Sequence, residues 1–359
     1  MKRLVLLGDG PAHRHLVREL RHERLAGAQV LWVAPGARSF SAAMLAGFVA
    51  GRHRADDCAI TLPPLAAAAD VRLVEAAVLA LDTARRHVAL ADGRVAEYDV
   101  LSIDDGGGVM DRQALPGARE QGLFLQPAEP FVRLFEGLLD LAARRVLDVV
   151  VVGGGRAGVE LALALQHRLA RGEERARIVL VTGGEPPLAG HGEAAMRLAA
   201  RRLSEARVTV IRERCLRIDA NAVHLGNGAR LACDAPLIAT ALQASPWLAG
   251  SGLALDGSGQ AVSGPTLQSL SHPEVFVVGQ QLDGDDLLAL NLRRFVGGGE
   301  LQPHRPPKRT LELIGCSSRR AIATWGGITV EGRWVAWWKE RRERRERQRW
   351  ITDRAGGAR

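Results

Sequence analysis

Short apolar runs recur along the chain, separated by glycine turns and by stretches with helical spacing. Residues 4–7 are all apolar and end at a glycine turn. Apolar positions between Leu16 and Leu20 then follow the spacing of one helix face, and residues 30–33 form the next run. This order predicts a strand, a helix and a second strand, which together make a βαβ unit of about 30 residues.

The same order returns in the second part of the chain. Residues 146–152 form an almost continuous apolar run, which is typical of a strand buried on both faces of a parallel sheet. A glycine turn at residues 153–158 and a helical pattern follow directly. Further strands are predicted at residues 71–78, 86–90, 98–104, 178–181, 208–211, 216–218, 222–225, 230–233, 236–240 and 275–278, and further helices at residues 131–143 and 194–203.

The repetition indicates an internal duplication of a supersecondary unit. It predicts an α/β fold with two Rossmann-like dinucleotide-binding domains, the second inserted in the first, with β-meanders and a C-terminal α/β appendage. We place the first domain at residues 1–118 and 236–300 and the second at residues 119–235. A region rich in arginine and tryptophan occupies residues 301–359.

The second glycine turn carries the clearer chemical signal. Between a strand and a helix it reads Gly153, Gly154, Gly155, Arg156, Ala157 and Gly158. The first glycine of such a turn permits the tight bend, the next lets a pyrophosphate approach the backbone, and the last lets the helix pack against the strand. N–H groups at the start of the helix then hold the phosphates. The turn therefore predicts a bound dinucleotide, and a purely structural turn is the alternative.

The acidic residue that often follows the next strand is missing in both units. In NAD-binding folds that residue holds a ribose 2′-hydroxyl. Here Thr182 stands in its place and Glu185 comes late, while Pro35 and Gly36 follow the corresponding strand of the first unit. The choice between NADH and NADPH therefore stays open, and Arg156 is a candidate for contact with a 2′-phosphate.

The first glycine turn departs from the pattern. It reads Gly8, Asp9, Gly10, Pro11, Ala12 and His13, so that a histidine occupies the position of the third glycine. Alone this turn is a weak signal. The duplication favours a second nucleotide site here.

The net charge of +8 belongs mostly to the end of the chain. Of the 48 basic residues 45 are arginine, and residues 331–359 hold ten Lys/Arg against five Asp/Glu. The rest of the chain is nearly balanced, and no nucleic-acid-binding module accompanies the charge. Nucleic acid is therefore not a predicted partner.

The basic tail contains Trp334, Trp337 and Trp338 in a stretch with helical spacing. The favoured interpretation is a solvated helix with Arg–Glu pairs such as Glu340 and Arg344, whose tryptophans pack on the body. The alternative is a basic amphipathic helix that lies on an anionic membrane surface. The predicted location is cytoplasmic, and the alternative adds peripheral contact with the inner face of the cytoplasmic membrane.

The four cysteines, Cys58, Cys215, Cys233 and Cys316, form no Cys-x-x-Cys pair and no zinc-spaced cluster. We therefore expect neither a redox disulfide nor a metal site. The apolar runs are too short for a transmembrane helix, and the apolar start of the chain is too short for a signal peptide.

Several segments together resemble one family of flavoproteins. They are the turn at residues 8–13, the segment around Met44, the strand that ends in Asp104, the turn and helix at residues 153–162, and the tail at residues 319–323 and 332–339. The chain resembles the pyridine nucleotide-disulfide oxidoreductase superfamily. Within it, the type II NADH dehydrogenase-like proteins are most similar, and more narrowly the module associated with selenide, water dikinase.

This resemblance implies FAD on the first domain, NAD(P)H on the second, and electron transfer from the nicotinamide through the flavin to an acceptor such as a quinone. It implies a catalytic role for Glu160, which lies in the helix after the second turn; the alternative is an acid that the helix dipole favours near the helix start. The implied cofactor-binding residues are Gly8, Gly10, Pro11, Ala12, His13, Pro35, Gly36, Met44, Asp104, Gly153, Gly154, Gly155, Arg156, Ala157, Gly158, Thr182, Gly279 and Gln280.

Some flavin-facing positions differ from the family's pattern. Gln280 stands where the family has an aspartate after Gly279, and Ala241 replaces a glycine after Thr240. An alternative prediction is therefore a non-catalytic descendant of the fold. Such a protein would have weak or lost cofactor binding and a binding or regulatory role.

Overall fold

The computed structural model describes residues 1–106, 108–169, 176–279, 285–305, 309–316 and 320–355, without the side chains of 285 and 346–355. The helices are α1 (Pro11–Leu20), α2 (Ala42–Val49), α3 (Leu62–Ala68), α4 (Ala118–Gln121), α5 (Ala128–Ala142), α6 (Arg156–Leu169), α7 (Glu193–Glu205), α8 (Asp285–Gly297) and α9 (Arg333–Ala355). The strands are β1 (Lys2–Leu7), β2 (Ala28–Ala34), β3 (Arg38–Phe40), β4 (Ala59–Thr61), β5 (Arg72–Glu75), β6 (Val78–Asp82), β7 (His87–Leu90), β8 (Val95–Glu97), β9 (Val100–Ile103), β10 (Leu123–Phe124), β11 (Leu147–Val152), β12 (Ala176–Val181), β13 (Thr209–Ile211), β14 (Cys215–Asp219), β15 (Ala222–Leu225), β16 (Arg230–Ala232), β17 (Ala235–Ile238), β18 (Val275–Val277), β19 (Leu311–Gly315), β20 (Ala321–Trp325) and β21 (Ile328–Gly332).

The first parallel sheet has the strand order β18-β9-β1-β2-β5. Helices α1, α3 and α8 bury apolar residues against one face, and the antiparallel meander β6-β7-β8 covers the other. Strand β18 joins this sheet although it comes after the whole second unit in the chain. The second unit is therefore an insertion, and the prediction of one Rossmann-like unit inside another is confirmed.

The second parallel sheet has the order β10-β17-β11-β12-β13. Helices α5, α6 and α7 cover one face, and the meander β14-β15-β16 covers the other. Strand β17 pairs with β11, with Val151 opposite Leu237. The predicted boundary after residue 235 had placed this strand in the first domain. An apolar strand buried on both faces carries no local sign of the sheet it joins, which is why the sequence did not resolve this point.

The predicted strand at residues 71–78 is two strands. Its first part, β5, is the edge of the first parallel sheet, where Val74 pairs with Val33. Its last residue, Val78, begins β6, which pairs with β7 in the meander, and the backbone between β5 and β6 leaves one sheet for the other. The apolar pattern hid this change because both strands bury side chains in the same cluster.

The appendage after the two units consists of the antiparallel sheet β19-β20-β21 and helix α9. Its helix faces the body with Val335, Lys339 and Glu343, which are spaced one turn apart and are all buried. Most of the other described side chains of α9 are exposed, and Trp334 and Trp337 are 58 % and 60 % accessible to solvent. The expectation that the tryptophans pack on the body is therefore wrong. The expected pair of Glu340 and Arg344 is confirmed, at 2.6 Å.

Candidate dinucleotide sites

The second glycine turn is built so that only glycine fits at its first and last positions. Gly153 has φ +133°, and a Cβ there would lie 2.3 Å from the carbonyl oxygen of Ala239. A Cβ on Gly158 would lie 1.8 Å from the carbonyl oxygen of Gly153. The start of α6 therefore packs directly on the end of β11, as the sequence pattern predicts.

The middle of this turn is open. A Cβ built on Gly155 would meet no atom within 4 Å, and the residue's φ is not in the left-handed region. Among the described residues, no acceptor takes a hydrogen bond from the backbone N–H of Arg156 or Ala157 at the start of α6. Free N–H groups at a helix N-terminus bind phosphate oxygens well. The residues at this turn therefore fit the diphosphate of a dinucleotide.

The end of β12 lies beside this turn. Thr182 is buried against Gly154, and its hydroxyl donates a hydrogen bond to the carbonyl oxygen of Glu185 at 2.5 Å. The loop is further held by the N–H of Leu188, which donates to the carbonyl oxygen of Gly154 at 2.8 Å. Thr182 thus shapes the loop. No carboxylate occupies the position that selects the ribose 2′-hydroxyl of NAD.

The first glycine turn is closed by a carboxylate of the chain itself. Asp104 follows β9, next to β1, and is 3 % exposed. Its Oδ2 accepts hydrogen bonds from the N–H of Ala12 at 2.8 Å and from that of His13 at 3.1 Å. Pro11, the first residue of α1, has no N–H. The N–H groups that would hold a diphosphate at this helix start therefore already donate to Asp104. With Asp104 in this position, the turn does not fit a diphosphate.

The glycines of this turn are required by the same aspartate. A Cβ on Gly8, whose φ is +98°, would lie 2.2 Å from the backbone oxygen of Asp104. A Cβ on Gly10 would lie 1.9 Å from its Oδ1. The structure therefore brings Gly8, Gly10, Pro11, Ala12 and Asp104 together, as expected, but around a side chain rather than around an open cradle.

His13 fills the position of the third glycine and is fully buried. Its Nδ1 lies 3.0 Å from the carbonyl oxygen of Gly8, and its Nε2 lies 2.8 Å from the hydroxyl of Ser102. Burial lowers the pKa of the imidazole, although the charge of Asp104 opposes this effect. A neutral ring that donates from Nδ1 and accepts at Nε2 satisfies both contacts. His13 therefore ties α1 to the strands beneath it.

A carboxylate near the end of β2 was missed by the sequence reasoning. A Cβ on Gly36, which follows Pro35, would lie 3.9 Å from Oε2 of Glu129 in the first turn of α5. The first unit lacks an acidic residue at the end of β2 that would bind a ribose hydroxyl. Glu129, which belongs to the second unit, is a candidate for that role. No local sequence signal marks Glu129, because its approach depends on how the two units pack.

The other predicted cofactor residues lie apart from the turns or outside the described region. Met44 is buried in α2, in the apolar cluster that α5 and α6 share. Gly279 follows β18, and a Cβ there would meet no atom within 4 Å. Gln280 lies outside the described residues.

Glu160, the predicted catalytic residue, is held by the appendage. Its Oε1 accepts the N–H of Gly315 at 2.6 Å and lies 3.5 Å from Nζ of Lys339. Its Oε2 lies 3.6 Å from Nε of Arg156. The carboxylate therefore joins the second glycine turn to β19 and α9, and its contacts are those of a group that positions other elements.

The described residues also show where the cysteines and the possible metal ligands lie. Cys58, Cys215, Cys233 and Cys316 are all free thiols. In the part of the chain that the structure describes, no group of three or more His, Cys, Asp or Glu side chains is placed to hold a metal ion. In the same residues no helix is long and apolar enough to cross a membrane.

Known proteins share both the sequence pattern and the fold. The family model of the pyridine nucleotide-disulphide oxidoreductases matches residues 2–290. The sulfide:quinone oxidoreductase of the hyperthermophilic bacterium Aquifex aeolicus has a TM-score of 0.78 at 17 % identity, over 96 % of this chain and 90 % of that one. A NAD-dependent persulfide reductase from A. fulgidus has a TM-score of 0.73 at 18 % identity, over 90 % and 64 % of the two chains.

A third solved structure carries a bound nicotinamide nucleotide. It is the water-forming NADH oxidase of Lactobacillus brevis bound to NADH, with a TM-score of 0.70 at 16 % identity, over 91 % of this chain and 75 % of that one. At such identities the structures show a common fold, whereas the family model covers both glycine turns. The chain therefore belongs to the pyridine nucleotide-disulphide oxidoreductase family and is an FAD- and NAD(P)H-dependent oxidoreductase.

Proposed function

We propose that this oxidoreductase takes electrons from a nicotinamide dinucleotide held at the turn of residues 153–158 and delivers them through FAD to a small organic acceptor such as a quinone. The observation that carries the proposal is the second turn, where the N–H groups of Arg156 and Ala157 meet no acceptor among the described residues and a Cβ on Gly155 would meet no atom within 4 Å. FAD, when bound, supplies the ring that accepts a hydride and passes electrons on. The protein residues bind and orient the donor.

The cysteines support an acceptor that needs no protein thiol. Burial raises the pKa of Cys233 and of Cys316 to about 12, and that of Cys215 to about 11. Cys58 is buried too. Thiolates are the reactive form in disulfide exchange, and Cys215, Cys233 and Cys316 stay protonated near neutral pH. One similar structure is a sulfide:quinone oxidoreductase, which supports a quinone as the acceptor to test first.

Gly155→Ala tests the donor site. The added methyl group meets no protein atom, so the fold should tolerate it, but it fills the space through which a diphosphate approaches the backbone. We expect NADH and NADPH to bind at least about tenfold more weakly (~1.4 kcal/mol), with an unchanged melting temperature. Gly137→Ala in α5, where a Cβ also meets no atom within 4 Å, is the matched control. Equal nucleotide affinity in both variants would contradict the proposed site.

The rival function is a non-catalytic descendant that binds or regulates. Absorbance separates the two, since oxidised flavin absorbs near about 450 nm and loses this band on reduction. Protein supplied with FAD should show the band and lose it with NADH or NADPH, and should then reduce a soluble quinone. Protein that does not bind added FAD would support the non-catalytic function.

Contact with a membrane is a further proposal, supported by the exposed tryptophans of α9. Trp334 and Trp337 stand beside arginines, and Arg341 lies over the Trp337 ring at 5.5 Å. Tryptophan and arginine favour anionic membrane surfaces. We expect Trp334→Ala with Trp337→Ala to reduce flotation with phosphatidylglycerol vesicles, while Trp325→Ala, an exposed site on β20, does not. Equal flotation of all proteins would exclude this role for α9.

The remaining predictions stand as proposals. They are the domain limits at residues 118 and 300, the catalytic role of Glu160, the narrower likeness to type II NADH dehydrogenase-like proteins, and the cytoplasmic location. The outcome of the Gly155→Ala binding experiment does not depend on any of these proposals.

A further inference from the structure

We infer that the carboxylate of Asp104 occupies the position on α1 that the diphosphate of FAD needs, so that the chain holds FAD weakly and Asp104 opposes its binding. The inference rests on the proposed use of FAD and concerns only its affinity. It starts from a contrast between two turns that share one architecture.

The two turns differ in the acceptors that the first N–H groups of α6 and of α1 meet. At the second turn the first N–H groups of α6 meet no acceptor among the described residues. At the first turn those of Ala12 and His13 both donate to Oδ2 of Asp104. The N–H of Gly10 donates to the backbone oxygen of the same residue, at 3.0 Å. Three N–H donors of this turn, those of Gly10, Ala12 and His13, therefore converge on one aspartate.

The position of Asp104 follows from the sheet topology. Strand β9 lies beside β1, on the side opposite to β2, so the ends of β1 and β9 border the crevice where ligands bind in such sheets. The N–H of Asp104 donates to the carbonyl oxygen of Leu7 at 2.9 Å and fixes the residue at the strand end. The residue is 3 % exposed, so its carboxylate is shielded from solvent at this strand end.

A carboxylate and a diphosphate compete for the same donors. Both are anions that helix N-termini favour. While Asp104 stays in place, an incoming diphosphate meets a negative charge and finds the N–H groups of Ala12 and His13 engaged. When Asp104 moves away, its buried contacts with those groups are lost. Either route lowers the affinity for FAD.

The test is a titration of FAD with the full-length protein, followed by flavin fluorescence in the absence of nicotinamide nucleotide and acceptor. Asp104→Asn keeps the side-chain shape and one acceptor oxygen but removes the charge, and Asp104→Ala also frees both N–H groups. We expect the Kd for FAD to fall at least about tenfold in Asp104→Asn and further in Asp104→Ala. Asp99→Asn, at the other end of β9, where it accepts a hydrogen bond from Arg3, should leave the Kd unchanged.

Two results would overturn the inference. One is an unchanged or weaker FAD affinity in Asp104→Asn, with that variant folded as judged by its melting curve. The other is a wild-type protein that keeps stoichiometric FAD through prolonged dialysis. A failure of the proposed function would look different, because the variants would then gain FAD affinity while their flavin stayed oxidised in the presence of NADH and NADPH.

Discussion

The attachment of α9 to the body depends on a buried ion cluster formed by His53, Glu160, Lys339 and Glu343. Nζ of Lys339 donates to Oε1 of Glu343 at 2.5 Å, and Oε2 of Glu343 lies 3.3 Å from Nε2 of His53. The side chains of this cluster are at most 9 % exposed. Removal of the Glu343 charge leaves Lys339 and His53 buried with one partner fewer each, and Lys339 keeps only Glu160 at 3.5 Å, which is destabilising. We therefore predict that Glu343→Gln loosens the appendage.

The magnitude follows from the pKa of Glu343. Burial raises this pKa, but the hydrogen bond with His53 and the charge of Lys339 outweigh burial and bring it to about 2, from 4.5. A depression of that size corresponds to about 3 kcal/mol of stability. Since the folded pKa lies below the unfolded one, the stabilisation is complete above about pH 4.5 and is lost as the pH falls toward 2. At about pH 3.5 roughly 1.4 kcal/mol of it should be gone.

Native-state hydrogen exchange of peptides from β19 to the first turns of α9 measures this local opening. At pH 7 Glu343→Gln should raise the exchange rate of these peptides about 100-fold. Glu340→Gln is the matched control, because its pair with Arg344 lies on the exposed side of the same helix and should contribute less than about 1 kcal/mol. Equal exchange in the two variants, or an effect of Glu343→Gln that does not shrink at low pH, would refute the reasoning.

Three further predictions concern Glu160, the cysteines and the nicotinamide donor. Glu160→Gln should speed hydrogen exchange around Gly315 more than it changes nucleotide affinity, because Glu160 is held by Gly315 and Lys339; a lowered kcat with unchanged exchange would instead favour its direct catalytic role. Cys215→Ser should leave quinone reduction by NADH unchanged, and a loss of this activity without unfolding would show that a thiol takes part. The affinities for NADH and NADPH should differ by less than about tenfold, since Thr182 rather than a carboxylate directly follows β12; a preference of about 100-fold for NADH in a binding titration would reveal a ribose contact elsewhere.

The second glycine turn could be predicted from the sequence because its requirements are local. Gly153 and Gly158 are forced by contacts within the turn and with the adjacent strand ends, and the flanking apolar strand and helix give the context. The alternation of apolar runs and turns likewise predicted two units, the second inserted in the first. Boundary strands such as β17 needed the structure, since a fully buried strand looks the same in either sheet.

The contacts that distinguish the first glycine turn from the family's pattern could not be predicted from the sequence, because they form between residues that are far apart in the chain. Asp104 reaches the start of α1 across 91 positions of sequence, and Glu129 comes close to Gly36 from the other unit. The partners of Glu160 lie in β19 and α9, far along the chain. Sequence reasoning identified Asp104 and Glu160 as site residues, but it could not tell whether their carboxylates face a cofactor or other groups of the protein.

Anaerobic titration of the FAD-loaded protein with NADH and with NADPH tests the central claim most directly. If a nicotinamide dinucleotide bound at residues 153–158 reduces the flavin, the absorbance near about 450 nm falls as the nucleotide is added, and Gly155→Ala needs at least about tenfold more of it. A flavin band that stays unchanged with both nucleotides in wild-type protein with FAD bound would contradict the account.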